Sequence, residues 1–246
     1  MSQILPYDEV IDRYRITVLE QPGDLVLKDG ELAVTKSGDL MVNSPGYSAL
    51  YRLVQWWRHS LPMLTVLFNQ FCESRARKRP LEAEAERALG KWTPGQPLVR
   101  DFSAYHEAIE IQEANELTEE VSAGSLLLAL SRMVQSFRDD LSLDPRDALW
   151  RQSGPLHNGV SVGEAVVAAA NNFRHAEEWA RARTPTAQQG TSHGALVAMT
   201  QIDATTARGV FWPRVLELLA GEDLDQLGRA VFGFANDVVQ RLESKG

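Results

Sequence analysis

The sequence has almost no cysteine, no long apolar run and no export pattern at its start. One of the 246 residues is a cysteine, Cys72, so an intrachain disulfide or a metal cage of several thiolates cannot form, and we expect a small buried apolar role for it. The longest apolar run spans residues 165–170, whereas a membrane span needs about 18 to 20 residues. Residues 1–9 lack the basic and apolar stretches of a signal peptide. We therefore expect a cytoplasmic protein that does not cross or bind a membrane.

Several catalytic fingerprints are also missing from the chain. It has no Gly-x-Ser-x-Gly elbow, no Walker motif and no dinucleotide-binding fingerprint, so serine-hydrolase, P-loop and NAD-dependent functions lack support. His106, Glu110 and Glu113 share one predicted helix face at metal-ligand spacing, but Glu107 and Glu116 surround them, as on a solvated acidic helix. We expect no cofactor and no metal site.

The overall amino-acid composition is that of a globular protein. Hydrophobic residues make up 44% and charged residues 24%, and the length suits one large domain or a domain with an appendage. The formal net charge is -8, and cations clearly outnumber acids only in residues 47–100. Four of these cations cluster at Arg75, Arg77, Lys78 and Arg79. The cluster is compatible with phosphate binding or with a solvated helix end whose cations favour the helix dipole.

Residues 24–43 contain a pattern typical of short β-strands. Three units alternate apolar and polar residues, and the dipeptides Asp29-Gly30 and Ser37-Gly38 lie between them. Such dipeptides favour two-residue hairpin turns, because glycine tolerates a positive φ. We predict a small antiparallel β meander within residues 1–46, serving as a flap packed on the helices, as a lid, or as an edge for a partner.

The chain from residue 47 onward has the apolar periodicity of α-helices. We predict loops at 91–100 and 152–159, and we expect Pro62 to end, kink or restart the first helix. The predicted helices are 47–60, 63–76, 80–89, 103–120, 125–141, 161–183, 194–206, 212–220 and 223–243. The expected fold is mainly α, a multi-helix bundle of about seven to nine helices with a small N-terminal antiparallel β meander. Its two parts are 1–46 and 47–246, which can form one compact unit.

The predicted helix 161–183 carries the most informative side chains. A period of 3.6 residues places Val162, Val166 and Phe173 on a buried stripe and His175 on the opposite, accessible face. Arg174 is spaced to pair with Glu178 at i+4. The residues that share the polar face are Asn171, Asn172, His175, Glu178 and Trp179.

This polar face has two interpretations. A histidine flanked by amides and a carboxylate is suited to proton transfer near neutral pH, and a neighbouring tryptophan can stack a nucleic-acid base. The same residues are equally those of the solvated side of an alanine-rich helix.

The segment from Ala170 to Trp179, Ala-Asn-Asn-Phe-Arg-His-Ala-Glu-Glu-Trp, resembles an Asn-x-Lys/Arg-His segment of bacterial helical proteins related to the HEPN superfamily. The resemblance implies a helical bundle and, as in many members, a metal-independent endoribonuclease of a defence or toxin-antitoxin system, often a homodimer. His175 would be the acid/base, Arg174 would stabilise the phosphate and Asn172 would orient it. Trp179, Asn171 and Glu178 would contact the RNA. The family usually separates its arginine and histidine by four to six residues, whereas Arg174 and His175 are adjacent.

Three other pairs have the family's spacing between arginine and histidine. They are Arg151 with His157, Arg100 with His106, and Arg52 with His59, the last being on one predicted helix. Two functional hypotheses follow from the sequence. One is a HEPN-like protein acting on RNA, and the other is a non-catalytic protein-protein interaction or regulatory component that works through the acidic helix 101–120 or the meander edge.

Overall fold

The computed structural model describes eight stretches of the chain, and their helices confirm the mainly α fold. These stretches are residues 4–20, 27–28, 31–32, 45–89, 94–95, 101–181, 186–202 and 211–244. The helices within them are α1 Tyr7–Tyr14, α2 Pro45–Leu89, α3 Phe102–Asp140, α4 Ala148–Gln152, α5 Val162–Arg174, α6 Ala176–Arg181, α7 Ala187–Thr200, α8 Phe211–Ala220 and α9 Leu224–Glu243, with a 3-10 turn at Thr17–Leu19. No helix in these stretches is long and apolar enough to cross a membrane.

Helices α2 and α3 are much longer than predicted. α2 runs for 45 residues through Pro62 and Pro80, and α3 runs for 39 residues through the gap expected between 120 and 125. A proline inside a helix removes one backbone hydrogen bond, but α2 and α3 pack against each other, and Asn115 of α3 donates to the Ser74 carbonyl of α2 at 2.7 Å. The prediction of separate helices was wrong because this packing stabilises α2 across its two prolines and α3 across residues 120–125.

The hydrophobic core occupies only part of this long helical pair. Core residues of α2 extend to Phe71 and those of α3 begin at Ala123. In residues 79–89 of α2 and 102–114 of α3, which we call the arm, the buried side chains are Ala85 and Ala108. The arm therefore lies outside the core.

The other helices build the core around the N-terminal half of α2 and the C-terminal half of α3. Trp57, Tyr14 and Phe232 form an aromatic cluster from α2, α1 and α9, with ring centroids 5.1 to 5.8 Å apart. Helices α5 and α8 both pack against α3. This arrangement brings α8 next to the base of the arm.

The β structure differs from the predicted N-terminal meander. A two-stranded antiparallel sheet lies in the middle of the chain, where β3 (Leu156–His157) pairs with β4 (Val160–Ser161). Its turn residues Asn158 and Gly159 have φ of 51° and 83°, as a type I′ hairpin requires. The hairpin lies inside the predicted loop at 152–159, of which residues 153–155 and 158–159 are outside helices and strands as predicted, and Asn-Gly is itself a hairpin signal.

Near the N-terminus the structure describes one short pairing. β1 (Leu27–Lys28) pairs antiparallel with β2 (Glu31–Leu32), in the register Leu27 to Leu32. Two residues separate these strands, as in the predicted hairpin. Most of the predicted three-unit meander, including its last unit at 39–42, lies outside the described residues.

Candidate functional site

Helix α5 positions the residues that the sequence singled out. The Ser161 hydroxyl caps its first turn, accepting from the Glu164 amide at 3.2 Å and donating to the Trp150 carbonyl at 2.9 Å. Val162 and Val166 are fully buried, as predicted. Phe173 is only half-buried, and its ring meets Trp212 of α8 edge to face at 4.9 Å.

The predicted helix 161–183 is interrupted at His175, between α5 and α6. The prediction that one continuous helix face carries residues 171–179 was therefore wrong. His175 has φ -117° and ψ 21°, and its amide closes α5 by donating to the Asn171 carbonyl at 3.1 Å. The His175 Nδ1 lies 3.0 Å from Glu178 Oε2. Glu178 therefore contacts His175, whereas the spacing had predicted that it would pair with Arg174. The His175 side chain is 41% exposed, which confirms its predicted accessibility.

Among the other residues of the predicted site, Asn172 is bound by a different helix. The Asn172 side-chain oxygen accepts a hydrogen bond from Trp212 Nε1 at 2.9 Å, so this amide joins α5 to α8. Asn171 is half-buried and Arg174 is exposed. The Trp179 side chain lies outside the described residues.

In two of the alternative arginine-histidine pairs the arginine contacts an acidic side chain. Arg52 forms an ion pair with Asp140 at 2.8 Å, and Arg151 lies 3.6 Å from Glu164. Burial lowers the pKa of His157. His106 packs its ring beside Phe102 and Tyr105, with Arg100 outside the described residues.

A charged cleft that the sequence did not reveal lies at the base of the arm, where α2, α3 and α8 meet. Its volume is about 390 Å³. It is lined by Arg75, Lys78, Glu116, Glu119, Glu120, Ile202, Pro213, Arg214 and Glu217. The basic cluster and the acidic helix were visible separately in the sequence, but nothing in either pattern places them against each other or against α8.

One side of this cleft, which we call the base cleft, is a closed ion cluster. Glu217 accepts from Arg214 Nη1 at 2.7 Å and also binds Arg75. Burial raises the pKa of Glu217, but hydrogen bonds from Arg214 and Arg75 outweigh it, so the pKa is lowered overall. Arg75 of the basic cluster is thus engaged inside the protein.

The other side of the base cleft holds a carboxylate in an unfavourable position. Glu119 is 8% exposed and makes no hydrogen bond or ion pair with any described residue. Burial raises the pKa of Glu119. Burial and the charge of Glu116 raise the pKa of Glu120. The nearby charge of Lys78 opposes both shifts. Buried charged groups without partners destabilise a fold, and such groups mark functional clefts more often than ordinary surfaces.

The acidic side chains of the described stretches do not converge as metal ligands. Among those residues, no group of three or more His, Cys, Asp or Glu side chains could hold a metal ion. Comparisons of the chain with protein-family models, with curated proteins and with solved structures gave no significant match.

Proposed function

We propose that the protein is a non-catalytic interaction or regulatory component whose arm binds the basic surface of a protein partner. The observation that carries this proposal is the position of the arm, which lies outside the core and exposes most of its side chains. Residues 101–115 contain four acidic residues and neither lysine nor arginine. Such a surface attracts a partner of opposite charge and steers its approach.

The arm also offers apolar contacts between its charges. Phe102 is 62% exposed and Ile111 is 47% exposed. Interfaces combine apolar and aromatic contacts with a polar surround. We therefore infer that the partner presents apolar side chains together with lysine or arginine.

The test measures binding of a fluorescent amphipathic helical peptide of lysine and leucine to matched variants. The arm variant combines Glu107→Gln, Glu110→Gln and Glu113→Gln, and the control variant combines the exposed acids of another region, Asp8→Asn, Asp12→Asn and Glu20→Gln. We expect the arm variant to bind about tenfold more weakly, since three exposed charge pairs at roughly 0.5 kcal/mol each amount to about one order of magnitude. The control variant should bind like the wild type.

Two outcomes contradict this function. The first is an equal loss of peptide binding in both variants, which would make the binding a general response to net charge. The second is a failure of the peptide to bind the wild type at low salt. Thermal unfolding of each variant confirms that the fold is retained.

A second candidate function, metal-independent cleavage of RNA, is favoured by the contact between His175 and Glu178. A carboxylate 3.0 Å from an imidazole nitrogen can hold the ring in one orientation. In this function His175 transfers the proton, the exposed Arg174 stabilises the charged phosphate and Trp179 stacks a base. Asn172 would contribute only if its hydrogen bond to Trp212 were released.

RNA cleavage is tested by incubating the purified protein with total RNA in EDTA. His175→Ala should abolish cleavage and Arg174→Ala should weaken it, whereas His106→Ala, which removes an exposed histidine of the arm, should have no effect. Circular dichroism checks that the variants fold. Cleavage retained by His175→Ala would exclude this site and make His59 the next residue to test. If the wild type does not cleave RNA, the interaction function is the remaining proposal.

A further inference from the structure

The base cleft contains a carboxylate that accepts no hydrogen bond from any described residue. Glu119 lines the cleft, is more than nine-tenths buried and lacks a hydrogen bond or ion pair within the described residues. We propose that the base cleft binds an organic cation, an alkylammonium or guanidinium group, whose N–H groups donate to Glu119. This site is separate from the exposed surface of the arm and does not depend on the interaction proposed above.

The charges that line the base cleft favour a monovalent cation. Arg75 and Arg214 are both bound to Glu217, which leaves Lys78 facing the carboxylates of α3. Three cations and four carboxylates line the cleft in total, so its formal charge is -1. One added positive charge brings the lining to neutrality.

The geometry also separates an organic cation from other ligands. An anion would meet Glu119 and find both arginines already engaged by Glu217. A metal ion needs converging ligands, and no such group occurs among the described residues. The volume of about 390 Å³ is that of a small-molecule site, and Ile202 and Pro213 supply apolar wall for an alkyl chain.

Packing of α3 against α2 does not explain Glu119. Asn115, one turn earlier on the same helix, is buried to a similar degree, and its side-chain amide donates to Ser74 of α2. That hydrogen bond joins the two helices at this level. Glu119 has no corresponding hydrogen-bond partner, and it lines the cleft, where a bidentate cation such as guanidinium supplies two N–H donors to its carboxylate.

The binding experiment uses simple probes and two-dimensional NMR of the full chain. Butylammonium and butylguanidinium should give saturable amide shifts centred on residues 116–120 and 213–217, whereas butanol and butyrate should not. N-acetyl-arginine amide and spermidine distinguish the two sources of the cation, a basic side chain of a polypeptide and a free amine. The source that fits the cleft should bind at least tenfold more tightly than the other.

The variants separate a ligand site from a structural carboxylate. Glu119→Gln should weaken binding of the cations at least tenfold, Lys78→Gln should strengthen it by removing a repelling charge, and Asp8→Asn, which removes an exposed carboxylate of α1, should leave it unchanged. Undiminished binding by Glu119→Gln, or shifts that do not saturate at the cleft, would overturn the proposal. Equal loss of binding by Asp8→Asn would show attraction to the negative charge of the protein in general and would also overturn the proposal.

Discussion

Tyr14 shows how one residue can depend on three elements. Its ring, from α1, is 4% exposed, stacks on Phe232 at 5.1 Å and donates from its hydroxyl to Asp225 Oδ1 at 3.1 Å. Burial, reinforced by the charge of Asp225, raises the pKa of Tyr14 to about 12. Deprotonation would place a phenolate in the core beside a carboxylate.

We predict that the Tyr14 hydroxyl loses its proton near pH 12, whereas an exposed tyrosine does so near pH 10. Since the folded pKa exceeds the unfolded value of about 10, its contribution to stability is complete below pH 10 and is lost between about pH 10 and 12. The measurement is the tyrosinate absorbance at 295 nm, taken as the difference between the wild type and Tyr14→Phe. A difference that titrates near pH 10 while the protein remains folded would contradict the prediction.

Asn172 illustrates what a residue pattern leaves undecided. Its type and spacing suited it to orient a phosphate beside His175, yet its oxygen is used by Trp212, forty positions further along the chain. A helical face identifies which side chains point together, but the partner of a polar group depends on which other element packs there. Sequence could therefore predict the accessibility of His175 and not the role of Asn172.

At the level of helices, close contact between α1 and α9 depends on one glycine. A Cβ built on Gly228 of α9 would overlap the ring of Tyr14, whereas a Cβ on Gly233 of the same helix meets nothing within 4 Å. Both glycines lie within one regular helix. They form a matched pair in which backbone propensity is equal and packing differs.

We predict opposite effects of alanine at these two positions. Gly233→Ala should stabilise the protein by up to about 1 kcal/mol through helix propensity. Gly228→Ala should destabilise it by about 1 to 3 kcal/mol, because the added methyl group displaces Tyr14 from a close-packed site. Urea unfolding measures both values, and stabilisation by Gly228→Ala would show that α1 moves freely away from α9.

The long helices α2 and α3 show the limit of reading breaks from single residues. Pro62 was expected to end, kink or restart the first helix, and a separate helix was predicted to begin at Pro80, whereas α2 runs through both prolines. The helix continues because its partner α3 packs along it, and that favourable contact exceeds the local penalty of a proline. By contrast, α8 and α9 begin and end within one residue of prediction, because strong amphipathic patterns and local caps define them.

At the level of the whole molecule, stability should depend on the acids of the base cleft. Burial raises the pKa values of Glu119 and Glu120, while hydrogen bonds to Arg214 and Arg75 lower that of Glu217 against its burial. A carboxyl group with a raised folded pKa contributes stability below its unfolded pKa, near 4.5, and this contribution is lost as pH rises through the folded value. Glu217 behaves in the opposite way, and its contribution is lost on acidification below about pH 4.5.

Glu119→Gln should therefore raise the melting temperature at pH 7 and flatten its change between pH 7 and pH 5. Glu217→Gln, the matched variant in the same cleft, should lower the melting temperature at pH 7, since Arg75 and Arg214 lose their shared partner. Calorimetry at both pH values measures these changes. A lower melting temperature for Glu119→Gln at pH 7 would mean that this carboxylate stabilises the fold.

The sequence by itself determined the mainly helical class, the approximate positions of most helices, and the buried stripe of α5. These features are local, because they depend on periodicity, caps and turn residues within about twenty positions. Only the tertiary structure decided the continuity of α2, the engagement of Asn172 by Trp212 and the existence of the base cleft. The cleft joins Lys78, Glu119 and Arg214, which lie far apart in the chain, and the burial and pairing of such charges depend on packing that no local pattern specifies.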